Sequence, residues 1–244
     1  MRTCDSMTAM HPVAWSRPLT PTDLGSHAVT VVEGGARTAG GHADALVVAD
    51  TSEQQRRTAC GLGEVTSLGL LDVMMNLPLC TPVRTRDMNI ESLARLAAAP
   101  EGIVRCEEGW VTRLLSPPLT VVAAIVRGTG WRRSAGQVGR FAPFAQQVVI
   151  LDRVPARGSA VIWEAQLAGI GVWVFVGGQV IELVAPEPFA RRFWKPAGWR
   201  FAERAYRAQL ISSGRRESSP ASADRRSRTG TAVCSPLQPA LPSM

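Results

Sequence analysis

Residues 146–186 read QQVVILDRVPARGSAVIWEAQLAGIGVWVFVGGQVIELVAP, and no other stretch of the chain is as rich in β-branched and aromatic residues. Runs of Val, Ile and Trp are typical of strands that lie half-buried in a pleated sheet. The stretch predicts four strands, at residues 147–154, 160–167, 172–176 and 180–184. Gly177 and Gly178 separate the last two and indicate a tight hairpin with positive φ at both turn residues.

The first two of these strands predict a second hairpin, centred on Gly158. In that register Asp152 faces Glu164, and Ile150 faces Gln166. A slip of one residue would move Asp152 and Glu164 to opposite faces of the sheet, so their pairing holds only in this assumed register.

A fifth strand is predicted upstream, because residues 119–126 are almost wholly apolar and follow the breaker Ser116-Pro117-Pro118. A strand buried on both faces and a buried helix share this pattern. Helical periodicity predicts helices at residues 65–76, 89–99 and 199–211, with Thr66 or Ser67 and Asn89 as N-caps. Together the pattern predicts an α+β fold: a mostly antiparallel sheet of about five strands covered by helices.

Three segments follow from this pattern. Residues 1–60 show no sustained period and are predicted to be largely disordered. Residues 61–212 form a single predicted domain, with a helical lead-in and hairpin (61–115), a β meander (116–186) and a C-terminal helix (187–212). Residues 213–244 are rich in Ser, Pro and Arg and predict a disordered basic tail.

Composition excludes several classes of protein. The longest uncharged apolar run, residues 167–176, is too short for the roughly 20 residues that span a bilayer, so we expect no membrane segment. The five cysteines are widely spaced without a C-x-x-C pair, which favours a reducing cytoplasm over a disulfide framework. All three histidines lie at or before His42, which excludes His-dependent catalysis or zinc unless residues 1–60 join the fold.

The order of helix, helix and hairpin in residues 65–115 resembles that of winged-helix modules. The resemblance implies a nucleic-acid-binding helix in this part of the chain. However, residues 62–115 carry 5 Arg against 7 acids and no recognition-helix signature. Since a recognition helix needs surplus positive charge, we expect these helices to pack on the sheet instead.

Positive charge is concentrated later in the chain. Residues 101–212 carry 14 basic residues against 8 acids. In the whole chain only one of the 27 basic residues is a lysine, and this preference for arginine is typical of a high-GC coding sequence. Residues 127–141, RGTGWRRSAGQVGRF, combine four arginines with four glycines and two aromatics. Such a loop suits contact with DNA or RNA, because guanidinium groups bind phosphate and aromatic rings stack on bases. The alternative is a solvated linking loop. The candidate nucleic-acid-binding residues are Arg127, Trp131, Arg132, Arg133 and Arg140.

The second candidate site is Asp152 with Glu164-Ala165-Gln166. An Asp on one strand and Glu-x-Lys on the next form the metal-binding core of PD-(D/E)XK nucleases, and this pattern resembles it with Gln166 in place of lysine. The resemblance implies that Asp152 and Glu164 bind Mg²⁺ and that Asp152, Glu164 and Gln166 are catalytic; otherwise no cofactor is expected. The alternative is an ion pair of these acids with Arg153 or Arg157, or a solvated face of the hairpin.

Three functions therefore stay open at this point. The favoured one is a basic, nucleic-acid-associated domain that uses the Arg/Gly-rich stretch. The alternatives are a metal-dependent nuclease at Asp152 and Glu164 and a non-catalytic protein-interaction domain.

Overall fold

A computed structural model describes residues 17–190 and 195–214 of the 244-residue chain. In chain order, its strands are β1 (Thr30–Thr38), β2 (Gly41–Ala49), β3 (Pro82–Arg84), β4 (Val104–Glu107), β5 (Trp110–Arg113), β6 (Leu119–Gly128), β7 (Gln146–Leu151), β8 (Gly171–Val176) and β9 (Gln179–Val184). The helices are α1 (Thr51–Ala59), α2 (Leu68–Met75), α3 (Ile90–Ala97), α4 (Trp131–Val138), α5 (Gly158–Ala168) and α6 (Pro196–Ser212). Within the described residues, none of the helices combines the length and the apolar character needed to cross a bilayer.

The strands form two sheets, and the predicted α+β class is confirmed. The main sheet has six strands in the order β1-β2-β6-β7-β8-β9, and the small sheet has three in the order β3-β5-β4. Five of the seven neighbouring pairs are antiparallel, as predicted. The two parallel pairs join β6, β7 and β8 at the centre of the main sheet.

The predicted strand at residues 160–167 is wrong, because these residues form helix α5. Ala, Glu, Gln and Leu favour a helix here, and Gly169 ends it with the left-handed φ of 66° that a helix C-terminus commonly adopts. Since β7 and β8 are parallel, the chain needs a crossover between them, which a hairpin cannot provide. The predicted pairing of Asp152 with Glu164 is therefore wrong as well.

The predicted disorder of residues 1–60 is wrong for the described part of that segment. Strands β1 and β2 extend the main sheet, and β2 pairs with β6. Ala36, Ala43 and Ala45 are buried there, and such small side chains leave a faint hydrophobic pattern in the sequence. The register of β1 shifts between Val32 and Ala36, which further interrupts its period. The disorder predicted for residues 1–16 and 215–244 concerns residues outside the described part.

Several local predictions are confirmed. The β8–β9 hairpin turns at Gly177 and Gly178, with φ of 57° and 82°. The side chain of Ser67 caps α2 and that of Asn89 caps α3. The apolar run at residues 119–126 is strand β6, whose residues from 121 to 126 are all buried.

Each face of the main sheet is covered by a different layer. Helices α4, α5 and α6 pack on one face, where Val138, Ala165 and Phe201 join the core of the sheet. Residues 17–29 cover part of the other face, with Leu19 fully buried in its core. The side-chain amide of Gln146 holds this segment, since it donates to the carbonyl of Arg17 and accepts from the amide of Leu19, both at 3.0 Å.

The small sheet has a core of its own, shared with α2, α3 and one end of α6. Leu71, Met74, Ile103 and Val111 are buried in it, and Trp199 of α6 is buried among them. Strand β3 lies between α2 and α3 in the chain, so the order of elements is helix, strand, helix and hairpin instead of the predicted helix, helix and hairpin. Only Leu96 of α3 is fully buried, so most of this helix faces solvent.

A buried ionic network joins α1 to α6 between the two cores. Arg57 is fully buried, and its guanidinium donates to both carboxylate oxygens of Glu203 at 2.7 Å and to Glu53 at 2.8 Å. Its remaining N–H groups donate to the carbonyls of Gly63 and Ser116. All five donors of the guanidinium are therefore used, which is the condition for burying such a charge without a large penalty.

Candidate functional site

The parallel strands β6, β7 and β8 end together at one edge of the main sheet, which we call the carboxyl edge. The register places Gly128 of β6 beside Leu151 of β7, and Leu151 beside Val174 of β8. Helix α4 follows β6 and helix α5 follows β7, so both helices begin at this edge. Ligand sites in sheets with parallel strands commonly lie at this edge, because loops and helix N-termini converge there.

The turn between β1 and β2 belongs to the same edge. Asp44 of β2 lies opposite Ile125 of β6, so the start of β2 is level with the end of β6. The Arg140 guanidinium lies against this turn: a Cβ atom added to Gly40 would be 2.6 Å from its Nη1 atom. Arg140 is thus held close to the β1–β2 turn, and its side chain is exposed.

Most of the predicted flexible loop at residues 127–141 is helical, so that part of the prediction is wrong. Residues 131–138 are α4, anchored in the main core by Val138, and Phe141 follows it fully buried. Phe141 therefore has no face open for base stacking. Gly128 ends β6 and Gly130 is the N-cap residue of α4, whereas Gly136 lies within the helix and Gly139 is its C-cap residue.

Trp131 is half-buried at the first position of α4. Its indole Nε1 donates to the Oε2 atom of Glu164 on α5 at 2.7 Å. The hydrogen bond fixes the ring and joins the two helices that begin at the carboxyl edge. The remaining exposed part of Trp131 is the aromatic surface available there.

The three predicted arginines before Arg140 lie at the β6–α4 junction. Arg127 is the last residue but one of β6 and has an exposed side chain, and its Nε atom is 3.6 Å from a carboxylate oxygen of Asp44. Arg132 and Arg133 are exposed in the first turn of α4. The structure thus brings the predicted arginines to one edge, and among the described residues only Arg127 has a carboxylate within 4 Å.

Two further arginines at the carboxyl edge were not predicted as binding residues. Arg153 follows the end of β7, and Arg157 is the N-cap residue of α5; both are exposed. Residues 127–157 contain six arginines and a single acid, Asp152. This excess of arginine over acid is visible in the sequence. However, the hairpin predicted around Gly158 places a strand after Arg157, where the structure has the start of helix α5.

The helices at this edge begin differently from three others in the chain. The side-chain oxygens of Asp50, Ser67 and Asn89 accept hydrogen bonds from backbone amides in the first turns of α1, α2 and α3. Gly130 and Arg157 are the N-cap residues of α4 and α5, and neither makes a side-chain cap hydrogen bond. The first amides of both helices therefore lack a side-chain acceptor, and the helix dipole makes them favourable for an anion.

The proposed metal and catalytic residues do not form a pair on neighbouring strands. Asp152 is exposed directly after β7, whereas Glu164 and Gln166 lie within α5. One oxygen of Glu164 already accepts the Trp131 indole. Among the described residues, no group of three His, Cys, Asp or Glu side chains is arranged to hold a metal. The roles of Asp152, Glu164 and Gln166 remain predictions, without the geometry that the nuclease resemblance requires.

The described histidines do join the fold, which removes the reason for dismissing them by position. His42 lies near the start of β2 at the carboxyl edge, and its backbone carbonyl accepts a hydrogen bond from the Gln137 side chain at 2.7 Å.

Comparisons of the chain with protein families, with curated proteins and with solved structures find no match.

Proposed function

We propose that this protein associates with nucleic acid through the arginines of its carboxyl edge. The observation that carries the proposal is the set of exposed arginines between residues 127 and 157, outnumbering acids six to one, beside two helix N-termini without side-chain caps. The small sheet is a poorer candidate because acids outnumber arginines in residues 62–115.

The expected contact is electrostatic and largely independent of sequence. Arginine binds phosphate through a planar set of donors, and backbone amides at a helix N-terminus add partial positive charge. Trp131 offers part of a ring for stacking on an unpaired base, which favours single-stranded regions. Binding of this kind weakens steeply with salt, because each phosphate contact releases counterions.

The test is the affinity of a fluorescent 20-nucleotide single strand, measured by anisotropy over a range of salt concentrations. We expect the variant Arg132→Ala/Arg133→Ala to bind more weakly and to lower the salt slope by about 1.4, since each lost contact to a single strand contributes about 0.7. The matched control is Arg86→Ala/Arg105→Ala, which removes the same charge from exposed positions near the small sheet. An equal loss of affinity for the single strand in both double variants would contradict the proposal.

A second candidate function, protein interaction, is supported by the outer surface of α5. Trp163 and Leu167 lie one helical turn apart with exposed fractions of 65% and 75%. Large apolar groups that share an exposed helix face commonly mark a protein contact. Self-association is tested by the sedimentation coefficient at increasing protein concentration. If the coefficient of the wild type and that of Trp163→Ser/Leu167→Ser change in the same way with concentration, self-association through this surface is contradicted.

The nuclease alternative keeps a direct test. Mg²⁺-dependent cleavage of DNA or RNA that is lost in Asp152→Asn and Glu164→Gln would support it.

The cytoplasmic location remains part of the proposal, because the five cysteines lack paired spacing.

A further inference from the structure

The β8–β9 hairpin projects beyond the carboxyl edge of the main sheet. Leu151 is the last residue of β7 and lies beside Val174, so residues 175–178 extend past the end of β7. Gly177 and Gly178 make the two-residue turn, and a turn of this kind fixes the register of the strands that it joins. The edge therefore carries a hairpin whose side chains keep a defined orientation relative to the sheet.

Phe175 lies in this hairpin, on the face of the sheet opposite helices α4, α5 and α6. Successive side chains of a strand point to opposite faces, so Phe175 shares its face with Trp173. Trp173 belongs to the core that residues 17–29 cover, and Val180, which pairs with Phe175, packs against the same core. Trp173 is fully buried, whereas Phe175 is 50% exposed. Half of an aromatic side chain at the carboxyl edge is therefore open to solvent.

Arg127 lies on the same face of the sheet. Its neighbour in β7 is Ile150, which joins the same core as Trp173 and lies beside Trp173 in β8. Strands β6 and β8 are two strand spacings apart, which is about 10 Å across the sheet. Arg153 follows the end of β7, the strand between them, and is exposed. Positive charge and an exposed aromatic ring therefore lie along one edge of the sheet, within reach of one extended ligand.

We propose that Phe175 is a base-stacking residue, and that a nucleic-acid strand crosses the carboxyl edge from Arg127 to the β8–β9 hairpin. The inference rests on the proposed function for its ligand, a single strand of DNA or RNA. The arginines of the edge bind phosphate groups, whereas residues 174–181 carry no charge and offer the ring of Phe175. Glu182 pairs with Trp173 and so lies on the same face, farther from the turn. Its carboxylate repels phosphate, so the strand leaves the protein at the hairpin tip instead of following β9.

The ring of Phe175 is suited to unpaired bases, because the bases of a duplex are already stacked on one another. Every base has a π-face, and replacing a stacking aromatic residue with Ala weakens binding by about five- to a hundredfold. Phe175 is uncharged and releases no counterions, so its contribution to affinity does not depend on salt. Trp131 packs against the core on the helical face, and its indole is held by Glu164. The two aromatic residues therefore stack on different bases.

The test is the affinity of the full-length protein for a fluorescent 20-nucleotide single strand and for its duplex, measured by anisotropy over a range of salt concentrations. We expect Phe175→Ala to bind the single strand at least about fivefold more weakly, with an unchanged salt slope and an unchanged affinity for the duplex. Phe175→Leu keeps an apolar side chain in the hairpin and should lose as much affinity, whereas Phe175→Tyr keeps the ring and should bind as the wild type does. The matched control is Ile181→Ala, which should also bind as the wild type does. Ile181 is 49% exposed in the same hairpin but pairs with Val174 on the helical face.

The outcomes separate this inference from the proposed function. If Phe175→Ala and Phe175→Leu keep the wild-type affinity while Arg132→Ala/Arg133→Ala loses it, the role of Phe175 is overturned and the proposed function stands. If the wild type binds neither the single strand nor the duplex at low salt, both are overturned. Equal losses for the single strand and the duplex, or a Phe175→Tyr variant as weak as Phe175→Ala, would overturn base stacking. A sedimentation coefficient that changes in Phe175→Ala without a change in affinity would assign Phe175 to a protein contact instead.

Discussion

Replacing Arg57 with methionine should destabilise the protein more than any surface substitution. Arg57 is fully buried between Glu53 and Glu203, which are themselves fully buried. The substitution keeps an apolar side chain of similar length but removes all five N–H donors. Two carboxylates and the carbonyls of Gly63 and Ser116 then lose their partner.

The magnitude follows from what each carboxylate retains. Glu53 keeps its contact with Arg56, but among the described residues Glu203 keeps only the indole of Trp199 and the amide of Val65. Burial already raises the pKa of the Glu203 carboxyl, and without Arg57 its charge is uncompensated. Removing one partner of a buried ion pair costs about 3–5 kcal/mol, so we expect the free energy of unfolding to fall by about that amount.

Urea unfolding followed by circular dichroism measures this loss. The double variant Arg57→Met/Glu203→Gln removes the unpaired charge and should recover about 1–2 kcal/mol relative to the sum of the two single variants. The control is Arg95→Met, which breaks an exposed pair with Glu91 and should cost less than about 1 kcal/mol. A loss in Arg57→Met no larger than in this control would refute the idea that the network joins the two cores.

Other predictions concern the connections around the main sheet. Trp131→Phe removes the indole that donates to Glu164 and should lower the free energy of unfolding by about 1–3 kcal/mol, as measured by urea titration. Gln146→Ala releases the segment at residues 17–29, and hydrogen exchange there should become faster while strand β7 stays protected. The Arg17 guanidinium lowers the pKa of the Asp23 carboxyl below its ordinary value of 3.8. The carboxylate therefore stabilises the folded protein at pH values above 3.8, and this stability is lost as the pH falls through the pKa of the folded state. Acid titration of unfolding measures the loss, which should be absent in Asp23→Asn.

The parts of the fold that were predictable from sequence are those set by local chemistry. Two consecutive glycines specified the β8–β9 turn, and Ser67 and Asn89 specified the start of their helices. Helix α5 was not predictable in the same way, because Val161-Ile162-Trp163 suits a strand as well as a helix. What decides in favour of the helix is the parallel pairing of β7 with β8, which is a tertiary constraint.

The first two strands of the main sheet were missed for a related reason. Strand β2 pairs with β6, more than seventy residues later in the chain, so nothing local reveals its partner. Its buried positions include Ala43 and Ala45, whose small side chains give a weak alternation. Composition alone therefore suggested disorder where long-range pairing produces order.

The candidate site was only partly predictable for the same reason. The arginine-rich stretch was visible, but its position at the carboxyl edge depends on how β6 pairs with β2 and β7. Arg153 and Arg157 join the site only because α5 begins at that edge. The separation of Asp152 from Glu164 likewise follows from residue 164 being helical rather than extended.

The central claim is that nucleic acid contacts the carboxyl edge. Photo-crosslinking of the full-length protein to a single-stranded oligonucleotide, followed by mass spectrometric mapping, tests it most directly. We expect the crosslinked peptides to come from residues 127–157, with the main adduct near Trp131. Crosslinks confined to residues 82–113 of the small sheet, or the absence of any adduct at low salt, would contradict the account.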